Sequence, residues 1–257
     1  MSIDLEVIEH IAVITMNRPE KLNALDADAY DELSSAWIRV RDDDDIRVAI
    51  VTGAGSRSFS VGADLKTFVT NQREFGEFWK TQLHPLLNRG LEMWKPVVAA
   101  VNGYCLGGGM TLLLATDIRV AVADATFGLP EVKRGILPGN GGTQRILSQL
   151  PYAIAMEMLL TGESFGANTA LRWGLINRVT EHHDLMDVAL GYAERLAANA
   201  PLAVQGAKEA ALRGREMSNS SGLRIEQALN RLLYFTEDAK EGPAAFAERR
   251  EPDYFGR

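Results

Sequence analysis

Three consecutive glycines, Gly107–Gly109, stand in GYCLGGGMTLLLATDIRV (103–120), just before an apolar run of helical character. Glycine loses more conformational freedom on folding than any other residue. Three of them at a helix start imply that something approaches the backbone closely. The residues alone leave two readings open. The glycines can permit tight helix–strand packing, or a bare helix start can offer unpaired N–H groups to a ligand oxygen that gains negative charge. Spacing removes the competing chemistries. Counted from Gly103, the lysine position of a phosphate-binding loop is Gly109, and neither this run nor GNGGTQR forms a dinucleotide fingerprint. The four histidines, His10, His84, His182 and His183, lack zinc-ligand spacing.

Two further segments bear on the choice. SRSFSVGADLKTF (56–68) sets Gly62 and Ala63 in a loop after a buried strand, and ATFGLPEVKRGILPGNGGTQR (125–145) places Glu131 directly after Pro130. Together with AAVNGYCLGGG (99–109), the opening NRPEKLNALD (17–26) and the closing TEDAKEGPAAFAERR (236–250), they span nearly the whole chain. In this order they resemble the enoyl-CoA hydratase/isomerase (crotonase) family.

The resemblance implies a chemistry. Members of that family bind an acyl-CoA thioester and hold its enolate with two backbone N–H groups, by position those of Ala63 and Gly108. Glu131 matches the family's retained acid–base glutamate, and its apolar neighbours imply a pKa raised toward neutrality. Hydratases carry a second glutamate two positions after the glycine run. Here that position is Thr111, 20 residues before Glu131 as in the family. A hydroxyl can hydrogen-bond but cannot serve as a general base.

The implied function therefore stays open between water addition or elimination at an enoyl-CoA double bond and Δ3-Δ2 isomerisation through one glutamate. Hydrolysis of a cyclic β-keto acyl-CoA is more distant. A non-catalytic CoA- or RNA-binding homologue is the rival outside enzymology. For the CoA moiety the resemblance points to Lys21 and Ala24, to the backbone of Ala63, Asp64 and Leu65 against the adenine, and to Lys66 and Gly108. It adds Arg249 as a cation lent by a neighbouring subunit. Asn140 in PGNGG can meet a polar substrate group or water, or simply make a turn. No metal or separate cofactor is expected, because CoA arrives with the substrate.

The elements that must position these residues are legible in the hydropathy pattern. DLEVIEH and IAVITMN read as paired strands, LDADAYDELSSAWIRVRDDDD as a helix, and IRVAIVTG, PVVAAVNG and DIRVAVA as buried strands. After about Pro151 come YAIAMEMLLTG, LMDVALGYAERLAANA, PLAVQGAKEAALRG and SGLRIEQALNRLLYFTED, all of helical period. The expected architecture is α/β, a crotonase-like spiral of ββα units over residues 1–200, with a helical oligomerisation region at 201–257. The expected assembly is a homotrimer or a dimer of trimers. Phe75, Phe78, Trp79, Leu83, Leu86 and Leu87 share one helical face, either as core or as the acyl-pocket wall, with Phe68 and Trp79 the pocket candidates.

Bulk properties agree. The 257 residues carry a net charge of −7, against a broad nucleic-acid surface, so an anionic ligand needs a local cluster of cations. No apolar stretch reaches membrane-spanning length. MSIDLEVIEHIAVITMN has no basic n-region and reads as alternating strand, so no signal peptide is expected. The single cysteine, Cys105, suits a reducing compartment and reads as a small core residue. These features give an expectation of a cytoplasmic enzyme without a membrane or nucleic-acid partner.

Overall fold

A computed structural model describes residues 1–64 and 85–257. Two antiparallel strands open the chain, β1 (Ile3–Ile8) and β2 (Ile11–Met16), with Ile8 opposite Ile11 at the turn. Helix α1 (Ala27–Asp42) follows, its N-terminus capped by the Asp26 carboxylate, which accepts from the Ala29 N–H at 3.1 Å. Ala29, Leu33, Ala36, Trp37 and Val40 form its buried stripe. At the other end the buried Lys95 ammonium donates to the Val40 and Asp43 carbonyls at 2.9 and 2.6 Å, satisfying acceptors the helix leaves over.

From here the chain winds between two sheets. β3 (Val48–Gly53), β5 (Val97–Val101) and β7 (Ile118–Val122) join the large sheet in parallel, and β10 (Arg178–Thr180) ends it, in the order β1-β2-β3-β5-β7-β10. Each of the first three is followed closely by a short strand of a second sheet: β4 (Ser58–Ser60), β6 (Tyr104–Leu106) and β8 (Thr126–Gly128). β9 (Ser164–Gly166) closes that sheet antiparallel to β8. Every residue of β3 and β5 is buried, as strands covered on both faces require. The ββα spiral expected from the sequence is the fold observed.

The later half adds helices at 142–149, 152–161, 167–172, 185–197, 201–215, 219–233 and 238–248. The short strands β9 and β10 and the helix at 167–172 fall between the segments the hydropathy pattern marks. Three residues are too few to display a period. The C-terminal tail docks on its own chain: the Asp238 carboxylate accepts the Phe255 and Gly256 N–H groups at 2.8 and 3.0 Å, and Arg47 Nη2 donates to the Tyr254 carbonyl at 2.7 Å. Among the described residues no helix is long and apolar enough to cross a membrane.

Candidate active site

Three neighbouring parallel strands of the small sheet, β4, β6 and β8, deliver the candidate residues from their carboxyl ends. β4 runs into Val61–Asp64, β6 into the glycine run, and β8 into Leu129–Glu131. Ligands gather at the carboxyl ends of parallel strands because the connecting loops and helix starts converge there. The register Leu106↔Gly128 and the bond from Gly107 N–H to the Gly128 carbonyl at 3.0 Å fix the last two loops against each other.

The loop after β4 is held from below by buried polar side chains. Ser60 Oγ donates to the Asn23 carbonyl at 2.8 Å and accepts from the Gly62 N–H at 3.1 Å. Asn23 Nδ2 donates to the Ser58 carbonyl at 2.6 Å. Leu25 N–H bonds the Gly62 carbonyl and Asp64 N–H bonds the Leu25 carbonyl, both at 2.8 Å, so segments 22–25 and 61–64 lie side by side. Ala24 and Ala63 are thereby brought together.

Helix α2 (Gly108–Leu113) begins against this loop, with Gly107 as its N-cap at φ 53 and ψ −122, a left-handed geometry that a side chain resists. The approach is close. A methyl on Gly62 would stand 2.3 Å from the Gly108 amide nitrogen, and one on Gly108 would stand 3.5 Å from the Ala63 nitrogen. Gly62, Gly107 and Gly109 are buried, whereas Ala63 and Gly108 are partly open. Neither the Ala63 nor the Gly108 N–H is spent on a backbone acceptor among the described residues. The tight packing thus brings the Ala63 and Gly108 amide nitrogens close together, as the second reading of the glycines requires.

Glu131 lies in a 3-10 turn, Pro130–Arg134, with the proline at its first turn. Its carboxylate rests on the glycine run, Oε1 standing 3.4 Å from where a Gly107 Cβ would be. Oε2 is buried and has no hydrogen-bond partner among the described residues. Burial pushes the carboxyl pKa above the usual range, while its own backbone N–H and the Arg134 charge pull the other way. A carboxyl group held so is suited to carrying a proton near neutral pH.

Thr111 sits one turn beyond Gly107 on the same face of α2 and is buried. Its Oγ1 donates to the Gly108 carbonyl at 3.0 Å and accepts from Asn88 Nδ2 at 3.0 Å. Its methyl faces Gly142, whose absent Cβ would come within 2.9 Å of Thr111 Cγ2. Asn140, two residues earlier, takes φ 51, and its carbonyl accepts from Arg145 Nη1 at 3.1 Å.

The cations divide. Lys21 Nζ lies 3.8 Å from the Asp64 carboxylate, as does the buried Arg18 guanidinium, which also pairs with Asp26 at 2.7 Å. Asp64 thus faces the positive charges of this corner with its side chain. Arg249 stands apart: it is exposed and ends the helix Asp238–Glu248 in a left-handed turn. Leu65 and Lys66, and the stripe from Phe68 and Phe75 through Trp79 to Leu83, lie outside the described residues; Leu86 and Leu87 are buried. Cys105 is fully buried, and burial pushes its thiol far above the usual range, so it is no nucleophile. Among the described residues no three His, Cys, Asp or Glu side chains gather as a metal site would require.

Sequence reasoning passed over Asn88, Arg145 and Tyr30. Tyr30 is half-buried on α1, and its hydroxyl stands 3.5 Å from the Gly108 Cβ position. Asn88 has no local pattern at all; only its contact with Thr111 marks it.

Comparison with known proteins converges on one group. The enoyl-CoA hydratase/isomerase family profile matches residues 6–257. An (E)-benzylidenesuccinyl-CoA hydratase from Thauera aromatica is 45% identical over 256 residues, covering 100% of both chains. A carnitinyl-CoA dehydratase from Salmonella arizonae is 42% identical, covering 96% of this chain and 95% of its own. The crystal structure of an enoyl-CoA hydratase from Bacillus anthracis superposes with a TM-score of 0.94 at 34% identity, covering 100% of both chains.

Proposed function

The chain belongs to the enoyl-CoA hydratase/isomerase family, and from that premise we propose that it adds water to, or removes it from, an enoyl-CoA double bond with Glu131 as its single acid–base group. An acyl-CoA hydratase-type lyase is what its relatives indicate. The observation that carries the finer reading is the closeness of the Ala63 and Gly108 amides to each other and to the half-buried Glu131, whose Oε2 has no partner among the described residues.

The thioester oxygen accepts from both amides. Glu131, as carboxylate, takes a proton from water while the water oxygen bonds to C3 of the enoyl group. The electron pair of the double bond moves through C2 onto the thioester oxygen, whose negative charge the two N–H groups hold. Glu131 then returns the proton to C2. One hydrogen and one hydroxyl are added, and the carboxylate is regenerated. Loss of one such amide donor costs about 3–4 kcal/mol of transition-state stabilisation in comparable enzymes. The scheme draws its electronic activation from the thioester and calls for no cofactor beyond the CoA of the substrate.

Lys21 and Ala24, beside Ala63 and Asp64, form the CoA side of the site, with Leu65, Lys66 and a neighbouring copy's Arg249 as further contacts. Residues 201–257 are assigned to a homotrimer or a dimer of trimers, since helices 201–215 and 219–233 bury no residue within the chain. A cytoplasmic location accords with one buried, reduced cysteine.

A second reading has an observation in its favour. The one proton of Thr111 is engaged by the Gly108 carbonyl and no second carboxylate stands at that position, so a single proton carrier, the requirement of a Δ3-Δ2 isomerase, is also met. Incubation with crotonyl-CoA, (E)-benzylidenesuccinyl-CoA and 3-hexenoyl-CoA, followed by mass spectrometry and enoyl absorbance, decides. Gain of 18 mass units on an enoyl substrate, abolished in Glu131→Gln, supports the hydratase. Conversion of 3-hexenoyl-CoA to the conjugated isomer without hydration replaces it with the isomerase.

A further inference from the structure

Where a second glutamate would share the water, this chain has a hydroxyl with a fixed direction. A threonine hydroxyl has one proton and two lone pairs. Thr111 gives its proton to the Gly108 carbonyl at 3.0 Å and one lone pair to Asn88 Nδ2 at 3.0 Å. One lone pair remains. Because the proton is already committed, Asn88 must present its NH2 rather than its oxygen, and the orientation of the amide follows. Asn88 is itself fastened: its side chain is buried, and its main-chain carbonyl accepts from Arg145 Nη1 at 3.1 Å. The same guanidinium nitrogen holds the Asn140 carbonyl, so loops 85–91 and 138–142 share one clamp.

Resting on the hydratase reading, we propose that Asn88 is a positioning residue that keeps Thr111 an acceptor, so that Thr111 and Glu131 together orient the attacking water through its two protons. Thr111 lies one helical turn from Gly107, against which Glu131 packs, so Gly107 and Thr111 both belong to the first turn of α2. A water donating to Thr111 and to Glu131 keeps its lone pair for C3. With Asn88 removed, one of the two bonds that fix the hydroxyl is lost, and the Gly108 carbonyl alone opposes a turn of its proton toward the water oxygen, where it would occupy the pair that must attack. Asn88 acts on the water step alone. Proton transfer at C2 needs only Glu131 and the amides.

That separation is testable in one set of proteins: wild type, Asn88→Ala, Thr111→Val and the double variant. Hydration is followed with crotonyl-CoA and (E)-benzylidenesuccinyl-CoA. Proton transfer at C2 is followed as deuterium uptake by butyryl-CoA in D2O. Asn88→Ala is expected to lose roughly tenfold in hydration kcat, the size of one lost hydrogen bond, with KM and deuterium uptake changed less than twofold. The double variant should be no slower than Thr111→Val, since the two residues act as one unit. If Asn88→Ala does not fold, Thr111→Val, which keeps the side-chain shape, must alone show the split. Equal loss in both reactions overturns the proposal in favour of a structural role, and so does unchanged hydration or an additive double variant. A wild type that exchanges deuterium but hydrates neither probe overturns this proposal while leaving Glu131 and the amides in their roles. A wild type that does neither overturns both.

Discussion

Every residue of β3 and β5 is buried, while helices 201–215 and 219–233, of fifteen residues each, bury none. The strands are apolar almost throughout, whereas the helices mix apolar with charged and polar side chains. The two regions differ also in where the apolar surface goes. In the body it closes on itself between two sheets. In the C-terminal region Leu232, Tyr234, Phe235 and Phe246 stand 65%, 70%, 86% and 86% exposed. Exposed apolar area on that scale marks an interface. On the proposed reading the body carries the chemistry, and another copy covers the exposed apolar side chains of the helices.

The largest expected effect lies within the body. Glu131→Gln should reduce kcat for water addition by about 10³-fold, within the range for loss of a positioned acid–base group, and leave the mass of the assembly unchanged by light scattering. A fall in activity accompanied by dissociation would mean that site and assembly are not separable in this way.

Gly62→Ala comes next. Its backbone has φ 83, and the added methyl would meet the Gly108 nitrogen at 2.3 Å. The two amides can no longer converge. Roughly a 10²-fold loss in kcat/KM is expected, comparable to removing one oxyanion donor, together with a lower melting temperature. Retained activity would show that the oxygen is held elsewhere.

The comparison is broken from the other side by Leu232→Asp combined with Phe235→Ser. Both side chains are exposed in the single chain, so its circular dichroism should be preserved while light scattering reports a fall from a multiple of the chain mass toward a single copy. An assembly that survives the pair of changes would place the interface on another face.

The sequence made one side of this contrast far easier to read than the other. Fully buried strands announce themselves as continuous apolar runs, and the glycine run, the Gly62-Ala63 loop and Glu131 each lie in a distinctive local string. The links between strings are not local. Asn88 meets Thr111 across 23 residues of chain, and Asp64 turns toward Arg18 and Lys21 across more than 40. No period or motif encodes such pairs; the spiral places them together. The C-terminal helices show the opposite limit. Their periodicity declares a helix and an apolar stripe, but not whether the stripe faces this chain or its copy.

The smallest effect tests a cost the body imposes on itself, the half-buried Glu131 carboxylate. A carboxyl group whose pKa is raised by burial binds its proton more tightly in the folded chain than in the unfolded one. Its contribution to stability is therefore fully present below the unfolded value near ~4.3 and is lost as pH rises through the raised folded value. At neutral pH the ionised group adds the desolvation of an acceptor, Oε2, that nothing among the described residues satisfies. Glu131→Gln removes that charge. Its melting temperature should exceed that of the wild type by roughly 2–4 °C at pH 7.5, the shift about 1 kcal/mol makes in a chain of this size. The difference should shrink as pH is lowered toward the ordinary carboxyl range. A variant that is slower and also less stable at pH 7.5 would mean that Glu131 is held by the fold for packing, whereas one slower and more stable means that the fold tolerates Glu131 for its chemistry.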